Sequence, residues 1–356
     1  MNKRLEKVIE RMKDRGLSQL LISDPGSIYY LTGISVDPGE RFFGLIVRES
    51  GETSLIVNRL FSVPKTDIET VWLGDTDSVS EAVARLIDRK AELGVDKLLP
   101  ARFLIPIRDK LEGGKIVLGS DCVDWVRAVK DEEEREKMRE ASGINDIVIE
   151  EAAAFIKEGV TEKEVADYLV GRYAFYGCEG VSFEPIVSFG KNAADPHHMP
   201  DGTVIREGDC VVLDIGCKLN GYCSDMTRTY FFKKADPEYA AIHDLVREAN
   251  TIAESVIRHG VRLCDIDAAA REHIASAGYG EYFTHRLGHF IGLEVHEYGD
   301  VSAAFDKAVE PGMCFSCEPG VYLPGRFGVR IEDLVIVTEE GCEVINHVDK
   351  HYRVIA

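Results

Sequence analysis

Two aspartates stand in segments that otherwise have the composition of buried strands. Asp214 lies within the apolar run 210–216, and Asp225 lies within the segment 222–232. An ionised carboxylate in an apolar strand is costly unless it is paired with a cation or bound to a metal. The two residues are therefore candidate metal ligands.

The turn between these segments predicts how the two aspartates meet. Asn220-Gly221 is the strongest short signal for a two-residue β-hairpin loop. Such a loop would pair Asp214 with Thr227 and make Asp225 the diagonal neighbour on the same face. Diagonal neighbours lie roughly 7–8 Å apart at Cα, so two carboxylates there could share or bridge a pair of metal ions. Two unrelated surface aspartates are the alternative, and the apolar flanks of Asp214 argue against it.

Histidines and further carboxylates follow in the second half of the chain. Residues 285–297 contain three of the ten histidines, His285, His289 and His296. Glu318 and Glu332 each lie in an apolar, strand-like run. A lone histidine is more often structural than a ligand, but a cluster like this one seldom is, and either glutamate alone would be weak evidence for a site.

The order of these motifs resembles that of the Xaa-Pro peptidases, the prolidase and aminopeptidase P branch of the pita-bread metallopeptidases. The motifs that carry the resemblance are Asp214-Ile215-Gly216, residues 224–229, residues 285–297, Glu318-Pro319-Gly320 and residues 330–333. The resemblance covers nearly the whole chain. It implies an α/β (α+β) protein with a creatinase-like N-terminal α/β domain at residues 1–122 and a C-terminal pita-bread catalytic domain at residues 128–356.

The resemblance also implies a cofactor. It assigns two divalent metal ions per subunit to five ligands, Asp214, Asp225, His289, Glu318 and Glu332, and it lets Asp225 and Glu332 contact or bridge both ions. Manganese is the expected metal, with cobalt, iron and zinc as alternatives. Which metal is bound in the cell does not follow from the sequence.

Catalytic and substrate-binding roles follow from the same resemblance. Glu318 is expected to accept the proton of the attacking water. His197 and His296 match family histidines that contact substrate, where a proton shuttle and oxyanion stabilisation are natural roles, and the neighbouring His198 is expected to be structural. The expected substrate-binding residues are His285, Arg286, Tyr322 and Arg330, the last of which would also orient the ligands.

The preference between dipeptides and longer peptides is harder to predict. Residues 30–33 and 37–41 resemble the N-terminal segments of bacterial prolidases, and Arg286 beside His285 is also prolidase-like. The guanidinium of Arg286 matches the carboxylate fork of a free dipeptide, but a structural ion pair is an equal alternative. The expected activity is an Xaa-Pro dipeptidase, with an Xaa-Pro aminopeptidase as the alternative.

The flanking elements fit two domains. Apolar runs at residues 19–22, 43–47, 54–57 and 115–118 predict strands, and helical patterns at residues 78–93 and 102–111 alternate with them, as in a small α/β domain. The charged run 130–137 predicts the solvated start of a long helix. The domain boundary is expected just before it.

The second domain contains an internal repeat. Residues 207–216 align with residues 311–320 at a constant offset of 104 residues, which matches Asp214 with Glu318. Each half reads as two helices followed by a pair of strands that carries a carboxylate. The repeat predicts a pseudo-twofold arrangement in which Asp214 and Glu318 occupy equivalent places around one site.

Composition limits the partners. A length of 356 residues favours two domains, and a net charge of −20 argues against nucleic acid or an anionic membrane as partner. The nine cysteines are expected to be reduced thiols. The amphipathic N-terminus does not have the continuous apolar run of a signal peptide, so a cytoplasmic location is expected. The resemblance adds short proline-containing peptides as substrates and a homodimer in which Asp37 or Arg41 reaches the partner's site.

Two rival functions remain. A non-catalytic peptide-binding relative would lack part of the ligand set, and this chain has all five candidates together with His197 and His296. A methionine aminopeptidase would share the ligands, but its usual chain has no creatinase-like N-terminal domain.

Overall fold

The computed structural model describes residues 2–356. The chain forms two compact units, one ending at Arg127 and the other running Ala128–Ala356. Each unit has its own hydrophobic core. Among residues 2–356, no helix is both long and apolar enough to cross a membrane.

The first unit is built on one six-stranded mixed sheet. Its elements are α1 (Lys3–Asp14), β1 (Gln19–Ile22), α2 (Pro25–Thr32), β2 (Gly44–Arg48), β3 (Thr53–Asn58), β4 (Glu69–Leu73), α3 (Val79–Leu86), β5 (Leu93–Val95), α4 (Ala101–Arg108), β6 (Ile116–Leu118) and α5 (Asp121–Ala128). The strand order is β4-β3-β2-β1-β5-β6. Leu21, Ile46 and Ile56 of the central strands pack with Val83 of α3 in the core, so the predicted α/β domain is confirmed.

One predicted helix of this unit is too long. The helical pattern was expected to continue to residue 93, but α3 ends at Leu86 and Leu93 begins β5. The side-chain amide of Gln19 explains the break, because it donates to the Asp88 carbonyl at 2.8 Å and accepts from the Asp88 N–H at 2.8 Å. These bonds draw the chain out of the helix toward β1.

The second unit has four long helices and several small sheets. Its elements are α6 (Glu132–Phe155), α7 (Glu162–Phe175), β7 (Gly180–Val181), β8 (Ile186–Phe189), a 3-10 turn (Gly190–Ala194), β9 (Cys210–Ile215), β10 (Cys217–Leu219), β11 (Tyr222–Cys223), β12 (Met226–Phe232), α8 (Pro237–Val256), α9 (Leu263–Ser276), a second 3-10 turn (Gly280–Tyr282), β13 (Gly288–His289), β14 (Asp300–Val301), β15 (Cys314–Cys317), β16 (Gly320–Leu323), β17 (Phe327–Arg330), β18 (Asp333–Val337), β19 (Cys342–Val344) and β20 (Val354–Ile355). Val148, Leu169, Val187 and Leu213 lie at its core.

The two halves of this unit repeat one another. Helices α6 and α7 precede the antiparallel pair β9–β12, and α8 and α9 precede the antiparallel pair β15–β18. Gly159 and Gly260, after the first helix of each half, have φ angles of 86° and 87°. Gly208 and Gly312, before the carboxylate-bearing strands, both have a φ of 90°. The predicted repeat and the pita-bread architecture are confirmed.

The hairpin that sets the register of the first strand pair is also as predicted. Asn220 and Gly221 have φ angles of 52° and 80°, the left-handed conformation of a type I′ turn. Leu219 pairs with Tyr222 across the turn between β10 and β11, and in the neighbouring β9–β12 pair the same register places Thr227 opposite Asp214.

The start of α6 differs from expectation in one respect. Asp131 and Glu134 form a reciprocal capping box at the helix N-terminus. Lys130, however, is 2% exposed rather than solvated, and its ammonium lies 3.1 Å from the carboxylate of Glu297. A buried lysine needs such a partner, and a charged run in the sequence does not reveal one located 167 residues away.

Candidate active site

A cavity of about 720 Å³ in the second unit gathers the predicted site residues. Ten of the eleven line it: Asp214, Asp225, His289, Glu318, Glu332, His197, His296, His285, Arg286 and Arg330. The eleventh, Tyr322, lies behind the wall, where its hydroxyl is 2.9 Å from His285 Nε2 and 2.7 Å from Arg330 Nη1.

Strand ends position the five candidate ligands. Asp214 lies in β9, and Asp225 lies between β11 and β12. His289 ends β13, Glu318 directly follows β15, and Glu332 lies between β17 and β18. Because both halves of the repeat place such a strand end at the same cavity, residues distant in sequence meet there.

The ligand atoms lie close together. One ligand atom each from Asp225, His289 and Glu332 lies within 4.8 Å of the others. His289 Nε2 is 3.5 Å from Asp225 Oδ2 and 3.6 Å from Glu318 Oε1. A single ion could contact several of these atoms after small side-chain movements.

Unpaired buried oxygens test whether these residues fit a metal. Asp214 Oδ1, Asp225 Oδ1 and Glu332 Oε1 are buried and have no hydrogen-bond partner within residues 2–356. A buried acceptor without a partner is costly. Three such oxygens at one cavity are the donor set that a hard divalent cation requires, so the residues present fit a metal site.

The pKa values of the carboxyl groups are consistent with the same conclusion. Burial, and then the charge of Asp214, raises the pKa of Asp225 well above its ordinary value. Burial, and then the charge of Asp225, does the same to the pKa of Glu332. Burial raises the pKa of Glu318 to about 7. A divalent cation would reverse these shifts because it stabilises the ionised forms.

The tautomer of His289 suits ligation. Its Nδ1–H donates to the carbonyl of Phe290 at 3.2 Å, which leaves the Nε2 lone pair facing Asp225 and Glu318. Burial lowers the pKa of His289 below its ordinary value, so the ring is neutral near pH 7. A neutral imidazole is the form that binds metal.

Arg330 and Thr227 orient two of the carboxylates. Arg330, 3% exposed, forms an ion pair with Asp214 and donates from Nε to Thr227 Oγ1 at 3.1 Å. Thr227 Oγ1 in turn donates to Glu332 Oε2 at 2.7 Å. The expected orienting role of Arg330 has this geometric basis, and Thr227 is an additional contact that the sequence indicated only as the partner of Asp214.

His285 forms part of the cavity wall, and Tyr322 supports it from behind. The Nδ1–H of His285 donates to the Arg286 carbonyl at 2.7 Å, so its Nε2 accepts from the Tyr322 hydroxyl. Burial, and then the charge of Arg330, lowers the pKa of His285 to about 3. His285 therefore offers a neutral ring face to a bound group.

Arg286 has a partner that the sequence did not reveal. Its guanidinium lies at the cavity and forms an ion pair with Asp300 of β14, and both side chains are partly exposed. No sequence signal distinguished Asp300, because the pair forms only when β13 and β14 align.

An apolar wall was likewise missed. Phe183, Ile186, Pro196, Met199 and Val295 line the same cavity. They come from separate segments and have ordinary side chains, so neither motif nor spacing marked them.

The fold and this site define a metal-dependent hydrolase with an N-terminal accessory domain. A model of metallopeptidase family M24 matches residues 136–339, and a model of the creatinase/prolidase N-terminal domain matches residues 4–129. The chain belongs to metallopeptidase family M24.

Individual relatives align with this chain over almost the full length of both proteins. An uncharacterized peptidase of Staphylococcus aureus is 36% identical, over 98% of this chain and 99% of its own. Solved structures similar to this chain include dipeptidase PepE from Mycobacterium ulcerans (TM-score 0.94, 35% identity, 99% and 97% coverage) and an Xaa-Pro dipeptidase from Bacillus anthracis (0.90, 30%, 99% and 99%). An X-Pro aminopeptidase from Thermotoga maritima is also similar (0.86, 31%, 99% and 99%).

Proposed function

We propose that the protein is an Xaa-Pro dipeptidase that uses two divalent metal ions bound by Asp214, Asp225, His289, Glu318 and Glu332. The observation that carries the proposal is the convergence of these five side chains on one cavity, where three buried carboxylate oxygens have no partner within the described chain. The similar protein from Mycobacterium ulcerans is named a dipeptidase and the one from Bacillus anthracis an Xaa-Pro dipeptidase, which supports the proposed activity.

The metals and the protein side chains would contribute different parts of the reaction. When bound, two divalent ions supply an acidified water near neutral pH and polarise the scissile carbonyl. Glu318 lies at the cavity beside His289 and would accept the proton of the attacking water. Its Oε1 is held by the Ser316 hydroxyl at 3.2 Å, which limits its rotation.

His197 and His296 are proposed to act on the substrate side. Both imidazoles lie at the cavity, and the His296 ring centroid is 4.3 Å from that of His289. Burial, and then nearby His289 and Arg286, lowers the pKa of His296 below its ordinary value. A neutral ring can accept one proton and then donate it to the leaving nitrogen, which is the role of a proton shuttle.

The proline side of the bond explains why a specialised cavity is needed. An Xaa-Pro amide has no N–H and a fixed ring, so a site that grips an extended amide binds it poorly. The proline ring would lie against His285 and His296, with Tyr322 behind His285, and the apolar wall would contact the preceding residue.

Arg286 bears on the choice between dipeptidase and aminopeptidase. We propose that its guanidinium binds the free carboxylate of a dipeptide. In the alternative, Arg286 is structural: it is held in its ion pair with Asp300, and longer peptides are accepted as by an Xaa-Pro aminopeptidase.

Hydrolysis of two matched substrates tests the proposal. Purified protein reconstituted with manganese or cobalt is assayed on an Xaa-Pro dipeptide and an Xaa-Pro-Xaa tripeptide, with Glu318→Ala as the inactive control. We expect a preference for the dipeptide and an increase of about tenfold in its KM in Arg286→Ala, because one charge-assisted contact is lost. A preference for the tripeptide would establish the aminopeptidase, and an unchanged KM would exclude the role of Arg286.

Further features belong to the same proposal. We propose manganese as the bound metal, because the oxygen-rich ligand set suits a hard cation. A cytoplasmic location is supported by the nine cysteines, all of which are free thiols. We also propose that the protein is a homodimer, which analytical ultracentrifugation tests. The proposed domains are residues 1–122 and residues 128–356.

A further inference from the structure

The carboxylate of Glu162, in the first turn of α7, is completely buried and accepts four hydrogen bonds. Two reach Oε1, from the Phe189 N–H at 2.7 Å and Asn192 Nδ2 at 3.0 Å. Two reach Oε2, from His198 Nε2 at 2.7 Å and the Asp201 N–H at 3.2 Å. All four donors belong to residues 189–201, which we call the 189–201 loop.

The 189–201 loop carries one of the proposed catalytic histidines. His197 lines the active-site cavity, whereas the next residue, His198, binds Glu162. Two adjacent side chains thus have different partners, one the cavity and the other a buried carboxylate. The backbone between them is fixed on one side by Glu162 and on the other by Arg330, whose Nη1 lies 3.5 Å from the Pro196 carbonyl.

A cation site does not explain this cluster. Ligand atoms of Glu162, His198 and Asp201 lie within 4.8 Å of one another, as in a metal site. Glu162, however, already faces four N–H donors, and Asp201 Oδ1 accepts from the Thr203 N–H at 2.7 Å. The donors would have to leave before a cation could bind.

We propose that Glu162 is a positioning residue for catalysis, because it holds the 189–201 loop and thereby sets the place of His197 at the scissile bond. The proposal rests on the proposed function, in which His197 contacts the substrate. Glu162 itself does not line the cavity. A displacement of about 1 Å of a catalytic group can cost on the order of 100-fold in rate, so the loop anchor matters although it is remote from the substrate.

Replacement of Glu162 by glutamine isolates this role. Glutamine has the same shape but only one acceptor oxygen, so its amide group must face two of the four donors whichever way it is oriented. Two of the four donors then face an NH₂ group instead of an acceptor oxygen. The 189–201 loop thereby loses its fixed position.

A double-mutant cycle tests whether Glu162 acts through His197. We expect kcat/KM for an Xaa-Pro dipeptide to fall about tenfold in Glu162→Gln and about 100-fold in His197→Ala. The double variant should equal His197→Ala within about twofold, because a histidine that is absent needs no positioning. Affinity for Mn²⁺, measured by calorimetry, should stay within about twofold of wild type.

Glu164→Gln is the matched control. Glu164 lies two residues further along the same helical turn, is exposed, and caps α7 through the Thr161 N–H rather than binding the 189–201 loop. It should lower thermal stability slightly and leave kcat/KM within about twofold of wild type. Equal losses of activity in Glu164→Gln and Glu162→Gln would overturn the proposal, since a general effect on α7 would then suffice.

Hydrogen exchange gives a readout that does not need activity. In Glu162→Gln the amides of residues 189–201 should exchange faster, while those of β12 keep their wild-type rates. Unchanged exchange in the loop, wild-type kcat/KM in Glu162→Gln, or a double variant that shows the product of the two single losses would each overturn the proposal. If wild-type protein hydrolyses no Xaa-Pro peptide, the proposed function fails, and the exchange rates still decide whether Glu162 holds the loop.

Discussion

Asp225 shows at the residue scale why the site needs a cation. Its side chain is buried beside Asp214 and Glu332, and the charge of Asp214 raises its pKa further. Without metal, these groups repel one another and leave buried oxygens unpaired. With metal, the same groups are stabilised, so stability and metal binding are linked through the same residues.

Asp225→Asn should therefore have opposite effects with and without metal. In EDTA, we expect the variant to be more stable than wild type by on the order of 1 kcal/mol, because one buried like charge is removed. With Mn²⁺, the stabilisation seen in wild type should be largely lost. Urea denaturation under both conditions measures the difference, and Asp306→Asn at an exposed aspartate is the control. A variant that is less stable in EDTA and still stabilised by Mn²⁺ would contradict the account.

The residues of the site were predictable to different degrees. Asp214 and Glu318 were marked because a carboxylate in an apolar strand demands an explanation. Asp300 and Met199 were not, since an aspartate and a methionine outside any motif are ordinary in any sequence. Asp300 meets Arg286 only when β13 and β14 align, and Met199 reaches the cavity through the path of its loop, neither of which a local pattern contains.

The β9–β12 hairpin sets the ligand geometry at the element scale. Its register follows from the left-handed conformations of Asn220 and Gly221, and a slip of one residue would turn Asp214 to the other face of the sheet. The turn is thus a determinant of the site although it makes no contact with the cavity.

Gly221→Ala should cost about 1–2 kcal/mol of stability, because alanine is strained at a φ of 80°. An added Cβ would approach Leu293 Cδ2 only to 3.9 Å, so the cost is conformational rather than steric. Gly143→Ala in α6 provides a contrast, since an added Cβ has open space there and alanine favours helix by roughly 0.5–1 kcal/mol. Equal urea midpoints for the two variants would count against this interpretation.

The elements were predictable where local chemistry determines them. The Asn-Gly turn specified its hairpin and register, and the run at residues 19–22 coincides with β1. The end of α3 was not predictable, because Gln19, distant in sequence, binds the Asp88 backbone and stops the helical pattern. Tertiary hydrogen bonds overrode a helical pattern that extended further.

Stability of the whole molecule should depend on pH through a buried histidine outside the active site. His243 of α8 is 1% exposed and packs beside Phe231 and Tyr352. Burial lowers its pKa to about 4, whereas smaller effects of Asp244 and Arg247 oppose each other. Because the unfolded chain binds a proton near pH 6.5 and the folded chain does not, stability falls as pH decreases from about 6.5 to about 4.

His243→Phe should reduce this acid sensitivity. Between pH 7 and pH 5, the wild-type protein should lose about 2 kcal/mol more stability than the variant. The aromatic ring keeps much of the packing, so any constant loss from the substitution cancels in the comparison. Urea denaturation at both pH values measures the effect, with His259→Phe at an exposed histidine as control. An identical pH dependence in His243→Phe and wild type would contradict the prediction.

Five converging side chains are proposed to bind two divalent ions, and Xaa-Pro hydrolysis is proposed to depend on both. Titration of the metal-free protein with Mn²⁺, with proline release from an Xaa-Pro dipeptide followed at each step, tests this proposal most directly. We expect no hydrolysis before metal is added, and a rate that reaches its plateau when two ions are bound per chain. Full activity without metal, or two bound ions without hydrolysis of any Xaa-Pro peptide, would contradict it.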